Sequence, residues 1–150
     1  MEVIYADTSV FGGIFDKEFS EGSKKLLESF KKGERKMMIS DIVFRELFDA
    51  RQEIREQVNN VPDRFKIITA PSIKAHTLAA RYIEEGVLTI RSADDALHIA
   101  TATLQCANLI ASWNFKHMAN TEKNELINKI NTECGFRSIT IKTPDQIIKP

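Results

Sequence analysis

The chain has 150 residues, of which 43% are hydrophobic and 28% are charged, and 21 Lys and Arg balance 21 Asp and Glu to a formal net charge of zero. This length and composition predict one globular domain, residues 1–150, and exclude a strongly basic surface over the whole molecule, so that any nucleic-acid contact is expected to be local. The sequence contains neither an apolar run of the roughly 18 residues that cross a bilayer nor a secretory signal, so we expect a cytoplasmic protein with no membrane partner.

Five short segments have the composition of β-strands. The first, residues 3–6, is a short apolar run with little alternation, which is typical of a parallel strand covered on both faces. It ends at Asp7, which is followed by Thr8 and Ser9. The other predicted strands are residues 36–40, 65–69, 109–112 and 138–142, of which the last alternates like an edge strand.

Predicted helices alternate with these strands. Apolar residues at helical spacing, with capping residues at the ends, predict helices over residues 21–30, from Ser40 or Asp41 through 48, 72–86, 93–107 and 121–134. Residues 51–60 either prolong the second helix or form another, residues 10–16 are expected to be a loop packed on the core, and Pro144 starts a tail. The alternation predicts a three-layer α/β/α sandwich with a mostly parallel sheet of about five strands.

Several acids are expected at one edge of this sheet. Asp7 closes the first strand, Glu46 lies six residues beyond the second, and Asp94 and Asp95 lie in the first turn of the Ala-rich helix. Asn114 follows the fourth strand. Because ligands of open α/β sheets bind beyond the carboxyl ends of the strands, these side chains are predicted to face one site.

Clustered carboxylates favour a hard divalent cation. Like charges that lie close together raise one another's pKa, and a cation removes that conflict. Ligands that are all oxygen favour Mg²⁺ or Mn²⁺, which typically bind one or two carboxylates together with water and phosphate oxygens. The pattern is therefore consistent with hydrolysis of a phosphodiester bond.

Each residue also has a structural interpretation. The Ser92-Ala93-Asp94-Asp95 start resembles a capping box, so spacing alone favours a helix-terminus role for one of these acids. Glu46 fits a solvated helix face, and Asn114 a turn. His98 lies one turn after Asp95, where it is either a supporting donor to that carboxylate or, more simply, a packed or surface histidine.

Four segments resemble the signature blocks of PIN-domain proteins, most closely the VapC-like ribonuclease toxins and their stand-alone prokaryotic relatives. The match runs from residue 3 to about 142 and keeps the order of the family. The four segments are residues 6–10 (ADTSV), 39–47 (ISDIVFREL), 95–102 (DALHIATA) and 112–117 (SWNFKH).

The resemblance implies a PIN-like fold, a ribonuclease that depends on Mg²⁺ or Mn²⁺, and an RNA substrate. By position it implies that Asp7, Glu46 and Asp95 hold the metal and catalyse, with Asn114 at the fourth catalytic position. That position is commonly Asp, and an amide adds no negative charge, which counts against a complete second metal site. For a toxin the resemblance also implies a cognate antitoxin protein and a homodimer.

Further residues are predicted around this site. Thr8, Ser9, Asp94 and His98 are candidates for support of the metal site, although Thr8 and Ser9 also fit a tight exit from the strand. The candidates for contacts with RNA phosphates are Arg45, Arg91, Lys116 and His117.

Two rivals to a ribonuclease differ in class. A PIN-like module that binds RNA or a protein partner and cuts poorly is favoured by Asn114 and by the zero net charge. A phosphatase with Asp7 as nucleophile is disfavoured because Ser9 stands where an Asp-x-Asp motif has its second acid.

Overall fold

The computed structural model describes residues 1–114 and 120–149. Five strands alternate with helices along this part of the chain. The strands are β1 (Val3–Ala6), β2 (Lys36–Ser40), β3 (Lys66–Thr69), β4 (Leu109–Ala111) and β5 (Thr140–Lys142). The α-helices are α1 (Thr8–Gly12), α2 (Ser20–Lys31), α3 (Asp41–Glu46), α4 (Gln52–Asn59), α5 (Ile73–Glu84), α6 (Ala93–Leu104), α7 (Thr121–Glu133) and α8 (Pro144–Ile148).

The strands form one sheet in the order β3-β2-β1-β4-β5, and every pairing is parallel. Strand β1 is central, with Tyr5 in register with Met38 on β2 and with Ile110 on β4. The prediction of a mostly parallel sheet of about five strands is confirmed, and β5 lies at an edge, as its alternation predicted.

Both faces of the sheet are covered, which explains why β1 is apolar at successive positions. Ile4 and Ala6 point into one apolar cluster with residues of α2, α4 and α8, while Tyr5 points into the other with residues of α5, α6 and α7. Because side chains alternate along a strand, an apolar residue at every position serves two cores. The layers are helix, sheet and helix.

Residues 10–16 differ from the predicted loop. Residues 10–12 belong to α1 and residues 13–15 to the 3₁₀ turn Gly13–Phe15 that continues it. Of the two glycines that argued for a loop, Gly13 has a packing reason, because a Cβ on it would lie 2.6 Å from Ser23 Oγ and 2.7 Å from Trp113 Nε1. A close approach between helix and neighbour requires glycine here while the backbone stays helical.

The predicted tail is also wrong, since Pro144 opens α8. Thr143 accepts a hydrogen bond from the Gln146 backbone N–H, and the Gln146 side chain accepts one from the Thr143 N–H, which together form a capping box. Proline is well tolerated at the first position of a helix. Ile147 is buried in the cluster that α2 also lines, so α8 completes that layer.

Other helix bounds shift by a few residues. The Ala-rich helix ends at Leu104 instead of residue 107. Of the two alternatives for residues 51–60, a separate helix is confirmed as α4. In the described part of the chain, no helix is long and apolar enough to cross a membrane. Both cysteines are free thiols.

Candidate active site

The candidate site lies at the C-terminal edge of the sheet, which we define as the edge formed by the carboxyl ends of the five strands. From β1 the chain proceeds outward to β2 and β3, then returns to place β4 against the other side of β1. The strand order therefore reverses between β1 and β4, and such a reversal leaves a crevice where open α/β sheets bind ligands. Asp7 follows β1 and Ser112 follows β4, so the two residues line this crevice.

Asp7 is a buried carboxylate with three donors. Its side chain is 3% exposed, Oδ1 accepts from Ser9 N at 3.1 Å and Ser9 Oγ at 2.6 Å, and Oδ2 accepts from Ser112 Oγ at 2.6 Å. The bond from Ser9 N also caps α1. Burial raises the pKa of Asp7 and Glu46 adds to the rise, against the opposing effect of His98 and of both serine hydroxyls.

Glu46 is the last residue of α3 and reaches toward the same edge. Its Oε1 accepts hydrogen bonds from Thr8 Oγ1 and from His98 Nε2, each at 2.7 Å. Burial works to raise the pKa of Glu46, but these two bonds and the charges of His98 and Arg45 outweigh it and lower the pKa. Both bonds fall on Oε1, so among the described residues Oε2 is the oxygen open to a ligand.

Asp95 is linked to the crevice through Asn114. The Asn114 Nδ2 donates to Asp95 Oδ2 at 2.8 Å, and the Asn114 backbone N–H donates to Ser112 Oγ at 3.0 Å. Because Ser112 donates to Asp7 in turn, a continuous path of hydrogen bonds joins the carboxylates of Asp7 and Asp95. An aspartate at position 114 would have no side-chain donor for Asp95.

His98 is a packed histidine that supports an acid other than the predicted one. Its ring is 1% exposed, and it contacts Glu46 through Nε2 and the Tyr5 hydroxyl through Nδ1, at 2.7 and 2.5 Å. The prediction that it supports Asp95 is therefore wrong. Spacing along α6 placed it near Asp95, but the side chain points across the sheet toward α3 and β1.

The remaining predicted residues divide into two groups. Thr8 and Ser9 bond to Glu46 and Asp7, which brings both into the site. Asp94 pairs with Arg45 at 2.7 Å on the exposed surface, and Arg91 lies exposed in the 3₁₀ turn before α6. Lys116 and His117 lie outside the described residues.

Three site residues were missed by sequence reasoning: Tyr5, Ser40 and Ser112. Ser40 ends β2 and Ser112 follows β4, so the signal that selected Asp7, a polar residue where an apolar strand ends, applies to both. Tyr5 stands inside an apolar strand, and a buried phenol needs a hydrogen-bond partner. Its partners, Ser40 Oγ at 2.7 Å and His98, are distant in sequence.

The carboxylates have the donor chemistry of a divalent-cation site. Asp7, Glu46 and Asp95 offer only oxygen, and Glu46 adds to the rise in the pKa of Asp7, an effect that a cation would relieve. Within residues 1–114 and 120–149, no three His, Cys, Asp or Glu side chains are grouped closely enough to bind one ion together. A pair of carboxylates completed by water and phosphate oxygens remains usual for Mg²⁺, so the residues fit it.

Comparisons with known proteins reveal the fold but no sequence family. No protein-family model and no curated protein sequence matches the chain. Among solved structures, VapBC2 from Rickettsia felis, crystallised with a DNA fragment from its promoter, has a TM-score of 0.59 at 16% identity and covers 94% of this chain and 98% of its own. FitAcB from Neisseria gonorrhoeae has a TM-score of 0.59 at 16% identity, covering 94% and 97%.

A third similar structure is VapC20 from Mycobacterium tuberculosis, described as a sarcin-ricin loop cleaving toxin. Its TM-score is 0.57 at 16% identity, and the match covers 90% of this chain and 97% of that one. The chain thus has the VapC-like PIN fold over nearly the whole length of these proteins, as the sequence blocks predicted. Identities this low establish the architecture alone.

Proposed function

We propose that this chain is a metal-dependent endoribonuclease of the toxin type, with Asp7, Glu46 and Asp95 as its acids. The observation that carries the proposal is the buried Asp7 carboxylate at the crevice between β1 and β4, with Glu46 close enough to raise its pKa. A buried anion beside a second anion is costly to the fold, and such a cost is commonly found at functional sites. The similar VapC20 is a toxin that cleaves the sarcin-ricin loop, which supports RNA as the substrate class.

Each acid has a defined task in this proposal. Asp7 and Glu46 would hold the cation, with Asp7 Oδ2, which accepts one hydrogen bond, and Glu46 Oε2 as the oxygens open to it. Asp95, oriented by Asn114, would complete the set of acids. A divalent cation supplies there a more acidic water and positive charge beside the leaving oxygen.

The reaction consumes one water molecule. A bond forms between the water oxygen and phosphorus as the water gives up one proton, the bond from phosphorus to the leaving ribose oxygen breaks, and that oxygen takes up one proton. Arg45, which precedes Glu46 in α3, and Arg91, in the turn before α6, are both exposed and are proposed to bind the flanking phosphates.

A cognate antitoxin is proposed as the protein partner, and a homodimer as the assembly. A further similar structure, from Klebsiella pneumoniae, is described as a toxin-antitoxin complex. Co-expression with the product of the adjacent open reading frame and co-purification on a tag test the first. Light scattering after size exclusion tests the second.

The decisive experiment measures cleavage of labelled RNA by the purified protein with Mg²⁺, Mn²⁺ or EDTA. Cleavage that needs the metal and disappears in Asp7→Asn supports the proposal. Asp49→Asn is the matched control, because it removes one exposed carboxylate outside the site. Undiminished cleavage by Asp7→Asn would rule the assignment out.

A binding module that cuts poorly is the second candidate. Two observations favour it: the amide of Asn114 at the fourth position, and the lack of a group of three ligating side chains in the described residues. RNA or protein binding that EDTA leaves unchanged, with no new RNA products at any metal concentration, would select this candidate.

A further inference from the structure

The His98 ring is the centre of a buried hydrogen-bonded chain. The chain runs from Ser40 Oγ to the Tyr5 hydroxyl at 2.7 Å, from that hydroxyl to His98 Nδ1 at 2.5 Å, and from His98 Nε2 to Glu46 Oε1 at 2.7 Å. Ser40 is fully buried, as is Tyr5, and the ring is 1% exposed. Glu46 is the only member that solvent reaches substantially, with 29% of its side chain exposed.

The chemistry of the end groups assigns the protons along this chain. Glu46 Oε1 already accepts from Thr8 Oγ1, and a charged carboxylate can only accept, so His98 Nε2 carries a hydrogen and donates to it whether the ring is neutral or charged. When the ring is neutral, Nδ1 is an acceptor, to which the Tyr5 hydroxyl donates. Burial raises the pKa of Tyr5, so the phenol keeps that hydrogen, and Ser40 donates to the phenol oxygen.

The hydrogen-bonded chain through His98 fixes the Glu46 carboxylate, which its own helix α3 holds only weakly. Helix α3 has six residues and ends at Glu46, and a helix this short has little stability of its own. By contrast, His98 lies in the second turn of the twelve-residue α6, and Tyr5 lies in the central strand. Glu46 is thus held from outside α3, by α6 through His98 and by the start of α1 through Thr8.

We propose that His98 is a positioning residue: by donating from Nε2 to Oε1, it turns the Oε2 oxygen of Glu46 toward the cation and substrate. This inference rests on the proposed function, since it concerns how Glu46 serves that site. Tyr5 and Ser40 extend the same role by holding the ring in the tautomer that donates. If His98 only filled the core, a hydrogen bond to either Tyr5 or Glu46 would satisfy the ring, and it would not matter which of the two it contacts.

Two substitutions of His98 test separately the contact that each of its ring nitrogens makes. The amide nitrogen of glutamine lies near the place of Nε2, so His98→Gln keeps a donor for Glu46. The shorter asparagine places its amide oxygen near Nδ1, so His98→Asn keeps an acceptor for Tyr5 and loses the bond to Glu46. Both remove the ring from the core, and asparagine leaves one buried methylene fewer than glutamine, so the stability of each variant is measured as well.

The first measurement is Mn²⁺ affinity, by electron paramagnetic resonance of the free ion. Loss of a residue that orients a metal ligand typically weakens metal binding by about 10- to 100-fold. We expect a weakening of this size in His98→Asn, and in His98→Gln a Mn²⁺ affinity near that of the unsubstituted protein. Unfolding in urea, recorded for both variants, controls for a general loss of stability. Equal affinities in the two variants would overturn the positioning role.

The second measurement needs neither metal nor activity. Nitrogen-15 spectra of the imidazole side chains in EDTA report which nitrogen carries hydrogen, and the His98 signals are those lost in His98→Gln. We expect the tautomer with hydrogen on Nε2, and a shift toward mixed tautomers in Tyr5→Phe, which leaves His98 in place. An Nε2 without hydrogen in the unsubstituted protein would contradict the proposal even if metal binding and RNA cleavage were both intact.

Failure of the proposed function has a different signature. In that case the unsubstituted protein neither binds Mn²⁺ nor cuts RNA, whatever the tautomer of His98, and the positioning role falls with it. If Mn²⁺ binding and cleavage are present but indifferent to the His98→Asn and His98→Gln pair, the function stands and only the positioning role is lost.

Discussion

Ser112 Oγ donates a hydrogen bond of 2.6 Å to Asp7 Oδ2 and thereby joins two residues that are 105 positions apart in the chain. The bond crosses the place where the strand order reverses, between β1 and β4. Both residues are buried, and Ser112 also accepts from the Asn114 backbone. This serine therefore connects the acid after β1 with the amide that orients Asp95.

Removing this hydroxyl is expected to weaken the fold and the site together. In Ser112→Ala, Asp7 loses a donor while it stays buried, and a bond to a charged group contributes roughly 1.5–3 kcal/mol. We expect the free energy of unfolding in urea at pH 7 to fall by about that amount. Ser138→Ala, at an exposed serine, is the control. Equal urea midpoints for Ser112→Ala and Ser138→Ala would show that the Ser112 hydroxyl contributes nothing to the free energy of unfolding.

Asp7→Asn is expected to stabilise the metal-free protein. Burial raises the pKa of Asp7 in the folded state above its unfolded value, so the folded chain binds this proton more tightly. The stability associated with that proton is present at low pH and is lost as pH rises through the folded pKa. At pH 7 in EDTA the neutral amide avoids the loss, and we expect a gain of about 1 kcal/mol in the free energy of unfolding.

The pH dependence provides the check on that prediction. As pH falls and Asp7 takes up its proton in the folded protein, the advantage of Asp7→Asn should shrink. A gain that stays constant as pH falls from 8 to the ordinary Asp pKa of about 3.9 would mean that the charge of Asp7 is not the cause. Asp49→Asn should show no comparable gain, because Asp49 is exposed.

Asn114→Asp is expected to make the fold more dependent on metal. The substitution replaces the donor to Asp95 Oδ2, 2.8 Å away, with a second carboxylate, so without metal two like charges face each other. We expect a lower melting temperature in EDTA, a larger rise on adding Mn²⁺ than in the unsubstituted chain, and faster RNA cleavage. Asn59→Asp adds the same charge at an exposed site and should change none of these. A metal-induced rise no larger than that of the unsubstituted chain would count against cation binding next to Asp95.

Arg45→Ala is expected to affect RNA binding but not stability. Its pair with Asp94 is more than half exposed on both sides, and such pairs contribute less than about 1 kcal/mol. RNA affinity in EDTA, measured by fluorescence anisotropy across a salt series, should fall, and the slope of log affinity against log salt should decrease by about 0.7 for a single-strand phosphate contact. Asp94→Asn, which removes the competing anion, should strengthen binding. An unchanged salt slope in Arg45→Ala would remove it from the RNA surface.

Much of the architecture follows from local patterns. Continuous apolar runs predicted buried parallel strands, and β2 begins and ends where the pattern placed it. The helical structure within residues 10–16 and of the segment from Pro144 was not predicted, because the two glycines and the proline in these segments are typical of loops when read alone. The close approach of Gly13 to Trp113 and the buried Ile147 of α8 depend on neighbours distant in sequence.

The sequence by itself determined that Asp7 stands at the end of an apolar strand, that Glu46 lies within a helix and that Asp94 and Asp95 open one at the same edge, because strand and helix boundaries depend on neighbouring residues. Only the tertiary structure decided the partners: His98 reaches Glu46 instead of Asp95, Asn114 holds Asp95, and Ser112 holds Asp7. A hydrogen bond requires two groups within about 3 Å, and that distance is set by how whole elements pack.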